Sequence, residues 1–344
     1  MAHFLSIDGG GTTTTCVVAD EKSVLATATA AGCNIIRVGE EKARTALLAA
    51  MREACTSAGV DLKTVLRTCA GVAGGGRNEI RDKVKGIVSE VAGGEVQVVG
   101  DMVIGLEAAF PGAPGVIVIA GTGSIAFGRN GRGETWRAGG WGYAVSDEGS
   151  GYWIGRTAVR FALRARDEGH DTALLSEVMR GFGAQEFEAL VRAANNPSAD
   201  FAAIAPAVIA LAEKDDFARG VLSFAAKELA ALAEIAIRHV WEPQQHVPVA
   251  TLGGVFRNSS LMRELFYNEL RALWPEWLDP AEAREFACIC RQFHSASRDK
   301  RKPARHCRPN PKKAEFRGEY RDRKTQRFRR WLSTVPAAGR VISL

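Results

Sequence analysis

Apolar residues along the first hundred positions follow two periods, and the switches between them mark out the elements. Residues 3–8, 13–20 and 23–30 are short apolar or β-branched runs and predict three strands, joined by the turn Gly9-Gly10-Gly11 and a turn at Glu21-Lys22. From Glu40 the period becomes helical through Ala58, with Ala43, Leu47, Ala50 or Met51, and Ala54 on the inward face. Residues 65–71 predict a buried strand, 78–91 a helix, and 96–100 a strand that ends at Asp101.

The succession then starts again. Residues 115–120 are apolar, Gly121-Thr122-Gly123 interrupts them, and 124–129 resumes as a second strand. Asn130-Gly131 is a hairpin signal leading to a third strand over 133–137. A helical region opens near Tyr152. A long helix over about 217–241 carries Val221, Phe224, Leu229, Leu232, Ile235 and Val240 inward. A strand over 247–252, then Gly253-Gly254, then a helix over about 259–274 follow. Strand, glycine turn, strand therefore heads each half, a weak internal duplication. After Pro275 the periodicity is lost. Arginine, lysine, histidine, cysteine and proline dominate, neither an amphipathic helix nor an alternating strand that could dock is legible, and composition predicts disorder.

Length and charge refine this picture. The 344 residues exceed one ordinary core and fit two domains, 1–112 and 113–278, followed by a basic tail over 279–344. The formal net charge of +6 misleads, because residues 284–344 hold 18 Lys and Arg against 5 Asp and Glu. Subtracted from 45 and 39 for the chain, these leave a body of 27 basic and 34 acidic residues, which gives no reason to expect a nucleic-acid partner. No apolar run approaches the roughly 18 residues that span a bilayer, and the N-terminus reads as a strand rather than a leader, so the expectation is a cytoplasmic protein with no membrane role. Seven cysteines without paired spacing make a poor disulfide framework, and the CxC at Cys288 and Cys290 has no matching pair for a zinc or iron–sulfur site.

Five stretches carry candidate chemistry. In the first, Asp8-Gly9-Gly10-Gly11-Thr12-Thr13, a strand ends in a carboxylate before a glycine turn and hydroxyls. Glycines let backbone N–H groups face an anion without a Cβ in the way, and Asp8 is placed to hold Mg²⁺ through water. It is not a Walker loop, since no Gly-Lys-Ser/Thr occurs and a strand follows. The second, Gly121-Thr122-Gly123-Ser124-Ile125, repeats the device between apolar strands, so each turn can hold one side of a polyphosphate. Third, Asp101 stands at the C-terminal end of a strand, where open α/β sheets bind ligands, and equally reads as a helix cap. Fourth, Gly139-Gly140-Trp141-Gly142 and the run from Asp147 to Gly155 combine carboxylates, glycines and aromatics, a set suited to a polar ring. Fifth, Gly253-Gly254 lies between the strand ending at Leu252 and the helix starting near Ser259; it reads as a plain strand-to-helix turn or, in an ATP-binding plan, as a turn against adenine, where a side chain would block the base.

Together, DGGGT at 8–12, GTGS at 121–124, GGWG at 139–142, DEGSGYWIG at 147–155 and LGG at 252–254 resemble the BadF/BadG/BcrA/BcrD-type ATPase family of the actin/hexokinase/Hsp70 superfamily, and within it the sugar-kinase branch. The likeness runs over about residues 1–275 in order, and DEGSGYWIG is its most specific part. It implies an α/β fold of two ribonuclease-H-like domains, the actin-like ATPase fold, with a cleft between them. It implies ATP and Mg²⁺ as cofactors and phosphorylation of the 6-hydroxyl of an amino sugar, N-acetylglucosamine before glucosamine. By the same resemblance Thr12 and Thr122 fall on phosphate-binding positions, and Asp101 on the base that takes the hydroxyl proton. Asn34, Ser124, Ile125, Gly140, Trp141, Gly142 and Asp147 fall on substrate positions. Gly10, Gly11, Thr13, Gly121, Gly123, Gly253, Gly254 and Ala212 fall near the nucleotide. Its partners are then a small amino sugar and ATP, with room for a homodimer.

One departure and one rival remain. Members of the family finish with a strand and a Gly-Ala-rich helix, whereas nothing after about Leu278 reads so, and the arginine-rich segment is either a shifted reading frame or a native basic extension. The family also contains ATPase activators of 2-hydroxyacyl-CoA dehydratases, which hold an iron–sulfur cluster between subunits; the lack of a suitable cysteine pair argues against that role.

Overall fold

A computed structural model describes residues 2–242 and 245–274, together with the backbone of residues 278–281. Its first sheet opens as a meander of β1 (His3–Gly9), β2 (Thr13–Ala19) and β3 (Val24–Ala31), antiparallel in the register Asp8↔Thr15↔Thr29. A short α1 (Ile35–Val38) leads into α2 (Glu40–Ala58), which has Glu40 and Glu41 in its first turn and stops at Gly59, φ +64°. Acidic residues at the start and a left-handed glycine at the end are what a helix of this length needs. The residues expected inward on α2, Ala43, Leu47, Ala50, Met51 and Ala54, are all buried. Two parallel strands complete the sheet, β4 (Val65–Val72) beside β1 and β5 (Glu95–Gly100) beside β4, with α3 (Asn78–Ser89) between them in sequence.

The second sheet repeats the plan. Strands β6 (Gly115–Ala120), β7 (Ser124–Arg129) and β8 (Thr135–Gly139) form an antiparallel meander. Helices α5 (Gly151–Asp167), α6 (Ala173–Gly181), α7 (Phe187–Ala194), α8 (Phe201–Leu211) and α9 (Asp216–Val240) intervene before β9 (Val247–Leu252) pairs parallel with β6. Then come α10 (Gly254–Arg257), α11 (Ser260–Leu273) and β10 (Leu278–Ala281), parallel to β9. The strand orders are β3-β2-β1-β4-β5 and β8-β7-β6-β9-β10, so the duplication faintly visible in sequence is complete at the level of topology. On α9, Val221, Leu229, Leu232 and Val240 are buried as expected, while Phe224 and Ile235 are only partly so.

The two halves meet through α4 (Asp101–Ala109). Its Ile104 packs against Gly71 of β4, where a Cβ would lie only 2.3 Å from Ile104 Cδ1. On the second sheet, Leu106 joins Phe110 in a buried cluster with Ile117, Phe127 and Ala250. Glu107 of α4 forms a half-buried ion pair with Arg129 of β7, whose guanidinium also donates to the Phe110 carbonyl at 2.9 Å. None of the described helices is long and apolar enough to cross a membrane.

Three readings need correction. The third strand of the second meander starts at Thr135, not 133, because the turn is longer than Asn130-Gly131: the Asn130 Oδ1 accepts the N–H groups of Arg132 and Glu134, and Gly133 takes φ +77°. Asp101 does not end a strand; it is the first residue of α4, with Gly100 as N-cap. The segment after Pro275 does supply a docked strand, β10. Four residues containing a proline carry no legible alternation, and a position at the end of a sheet is where proline is tolerated. The expected disorder of the basic tail falls outside the described residues.

Candidate active site

The first glycine turn closes tightly, with the Gly10 N–H donating to the Thr13 carbonyl at 2.9 Å. Its back is braced by the chain after β3: the Cys33 N–H donates to the Gly10 carbonyl at 3.2 Å, and a Cβ on Gly32 would lie 2.3 Å from the Gly11 oxygen. Gly9 is equally confined, since a Cβ there would meet Cys33 Sγ at 2.4 Å. Thr12 and Thr13, by contrast, are exposed at the tip.

The second turn is anchored by a helix. The Gly121 N–H donates to the Gly123 carbonyl at 2.9 Å, while the first N–H groups of α5, on Gly151 and Tyr152, donate to the carbonyls of Gly121 and Thr122 at 2.7 and 3.3 Å. Helix-start N–H groups have no partner within the helix, so here they fix the turn. Ser150 caps α5 through the Trp153 N–H. The two turns face each other: a Cβ on Gly11 would lie 3.5 Å from the Thr122 Cβ and 3.6 Å from its Oγ1.

Three carboxylates gather beside them. Asp8 is the penultimate residue of β1, and its pKa is pushed up to about 6, first by burial, next by the charge of Asp101, against a partial lowering by Arg257. Burial also raises Asp101, opposed by backbone donors that include the Met102 N–H at 2.9 Å. Asp147 is raised by burial first, against the Gly142 and Ser124 N–H groups, and it too feels Asp101. Asp101 is thus the common electrostatic neighbour of Asp8 and Asp147. Asp147 alone among the described non-glycine residues takes a positive φ, +63°. Such a conformation persists only where the surroundings enforce it. Its carboxylate presses on the second turn, 2.8 Å from where a Cβ on Gly123 would sit.

The loop before Asp147 is set by its packing. Gly139, Gly140 and Gly142 all have positive φ, and a Cβ on Gly140 would strike Ile125 Cδ1 at 2.8 Å. Trp141 is 61% exposed, with the Arg137 guanidinium 3.9 Å over its ring. Ser124 is buried and donates its hydroxyl to the Glu148 carbonyl at 2.7 Å, holding the loop. Asn34 is the N-cap of α1, its Oδ1 accepting the Ile36 N–H at 3.1 Å, so the donor it can still offer is its amide nitrogen. Gly253, φ +93°, lies against β6, where a Cβ would be 2.3 Å from the Ala120 oxygen; around Gly254 the nearest such atom is Asn258 Nδ2 at 3.9 Å. Ala212 is fully buried in the core of the second half.

Sequence reasoning missed Gly32, Arg37 and Arg257. Gly32 follows a strand as many glycines do, and only the approach of the Gly11 backbone explains it. Arg37 and Arg257 sit just after Asn34 and Gly253-Gly254, so proximity to those motifs was the available signal.

Paired glycine turns facing each other beside three carboxylates with raised pKa values, carried on two sheets of one topology, define a kinase-like phosphotransferase of the actin-like ATPase fold. The chain belongs to the BadF/BadG/BcrA/BcrD ATPase family, whose model matches residues 5–270. It is 29% identical over 283 residues to the N-acetylmuramic acid/N-acetylglucosamine kinase of Clostridium acetobutylicum, covering 80% of this chain and 92% of that protein. It is 29% identical over 290 residues to the N-acetyl-D-glucosamine kinase of Dictyostelium discoideum, covering 79% and 91%. A Chromobacterium violaceum structure provisionally assigned as an N-acetylglucosamine kinase superposes with a TM-score of 0.68 at 26% identity, over 84% of this chain and 98% of that one.

Proposed function

We propose that this protein transfers the terminal phosphoryl group of ATP to the 6-hydroxyl of an amino sugar, with N-acetylglucosamine the leading substrate. The observation that carries this reading is that Asp101 is the electrostatic neighbour of both Asp8, beside the first glycine turn, and Asp147, on the loop after β8. An alcohol held near Asp147 can give its proton to the Asp101 carboxylate as its oxygen attacks phosphorus and ADP leaves. The kinase names of two relatives with 29% identity over most of their length support the sugar as substrate.

Each group then has a task. The turns at Gly10, Gly11, Thr12 and Thr13 and at Gly121, Thr122 and Gly123 donate to the phosphates from opposite sides. Gly253 and Gly254 take the base, Gly254 because the space around it is open, and Ala212 serves as buried backing. Asn34, Gly140, Trp141, Gly142 and Asp147 contact the sugar, with Ser124 and Ile125 supporting their loop. Asp8 suits a divalent cation: its carboxyl is held well above the ordinary range by burial and by Asp101, and a cation would relieve both. Mg²⁺ keeps water and phosphate as ligands, so a single carboxylate suffices to hold it. When bound, Mg²⁺ neutralises phosphate charge.

The test is ADP release by the full chain with a panel of acceptors, with phosphorus NMR of the product. N-acetylglucosamine or glucosamine should exceed glycerol, xylulose and acetate, and the phosphate should couple to the protons on carbon 6. Equal or faster turnover of one of the other acceptors, or attachment elsewhere on the ring, refutes the assignment.

A further inference from the structure

Arg37 lies in the last turn of α1, three residues after Asn34, and has no part in the scheme above. Its Nη1 lies 3.5 Å from the point a Cβ on Gly11 would occupy, and Thr122 Oγ1 lies 3.6 Å from the same point. The guanidinium therefore stands at the rim shared by the two glycine turns. Its other nitrogen, Nη2, reaches Asp200 Oδ2 at 3.4 Å, joining the first half of the molecule to the second. Asp200 is the N-cap of α8, and its Oδ1 accepts the Ala202 N–H at 3.2 Å, so this acceptor is fixed in place. The pair is long for a charge-assisted hydrogen bond, which usually measures about 2.7–2.9 Å. Its side chains are 30% and 53% exposed, so it adds little to stability. A cation so loosely held, beside two turns suited to a polyphosphate, has a better acceptor within reach when nucleotide arrives.

We propose that Arg37 is a nucleotide-phosphate ligand, held ready by Asp200 before nucleotide binds and exchanging that carboxylate for a phosphate oxygen on binding. The proposal rests on the kinase reading. It differs from a simple strut between the halves in sign: Asp200 competes with nucleotide for Arg37, so removing its charge favours binding.

Calorimetric titration of the full chain with MgATP decides it, using wild type, Arg37→Gln and Asp200→Asn. Arg37→Gln should weaken ATP binding about tenfold or more, as loss of a charged hydrogen-bond donor does. Asp200→Asn, which keeps an oxygen to cap α8, should bind ATP more tightly than wild type, and unchanged affinity overturns the proposal. Native affinity in Arg37→Gln overturns the proposal alone, as does a loss in Asp200→Asn matching that of Arg37→Gln. If Arg37→Gln does not fold, Asp200→Asn still decides through the sign of its effect. Absence of ATP binding by wild type overturns the kinase reading and this proposal with it.

Discussion

Asp101 owes its properties to where its helix begins. As the first residue of α4 it accepts a neighbouring backbone N–H, which favours the ionised form, yet burial outweighs that and raises its pKa. A carboxylate with a raised pKa is a better proton acceptor whenever it is ionised. Asp101→Asn keeps the shape, so the variant should bind ATP almost normally and lose kcat by about 10²–10⁴-fold. The wild-type rate should fall as pH drops through a value above the ordinary aspartate range, because the base must be ionised to act. Rate profiles beside ATP calorimetry check both points; near-native kcat in Asp101→Asn would make it only a helix-start residue and turn attention to Asp147. The sequence signal for Asp101 was good, since a carboxylate ending a predicted strand at a sheet edge is readable. The positive φ of Asp147 was not, because its carboxylate is engaged by the Gly142 and Ser124 N–H groups, which only folding brings to it.

At the scale of elements, the glycine turns are seated by what lies behind them. Gly32 takes no special backbone conformation, and its constraint is purely steric: a Cβ there would also lie 2.8 Å from the Thr12 nitrogen, and backbone cannot swing aside as a side chain can. Gly32→Ala should therefore displace the first turn, lower stability by about 1–3 kcal/mol, and weaken ATP binding beyond what the stability loss explains. Urea unfolding and nucleotide titration of the same preparation separate the two effects. Both glycine turns, the strands flanking them and the long helices were legible in the sequence, since alternation and helical periods are local signals. What escaped was set by distant partners. The late start of β8 follows from Asn130 side-chain bonds, and α4 is buried between two sheets, so its apolar residues show no clean period. Of the site residues, those on glycine motifs were readable, while Gly32, Arg37 and Arg257 acquire meaning only from what they approach.

Over the whole molecule, the site is held at some expense of stability. Asp8 has a folded pKa near 6 against an ordinary 3.8. Between those values the folded chain binds more protons than the unfolded one, so stability falls as pH rises through that window and the full penalty stands above it. Asp8→Asn removes the penalty. The full-length variant should unfold at higher temperature than wild type near pH 7.5, by on the order of 1–3 kcal/mol, with the gain shrinking toward pH 4, while its rate and Mg²⁺ dependence are lost. Thermal unfolding across that range is the measurement, and equal melting at pH 7.5 would show that Asp8 is not strained. The matched topology of the two sheets also hides an asymmetry in time. Every strand of the first sheet lies within residues 3–100, whereas Val116 of β6 must wait for Val249 of β9. At about 5–20 residues per second of synthesis, that interval is on the order of ten seconds. The first sheet can close on the ribosome while the strand that seats the second is still unmade. A truncated chain ending before β9 would carry both glycine turns and all three carboxylates and still lack a finished second half to hold them.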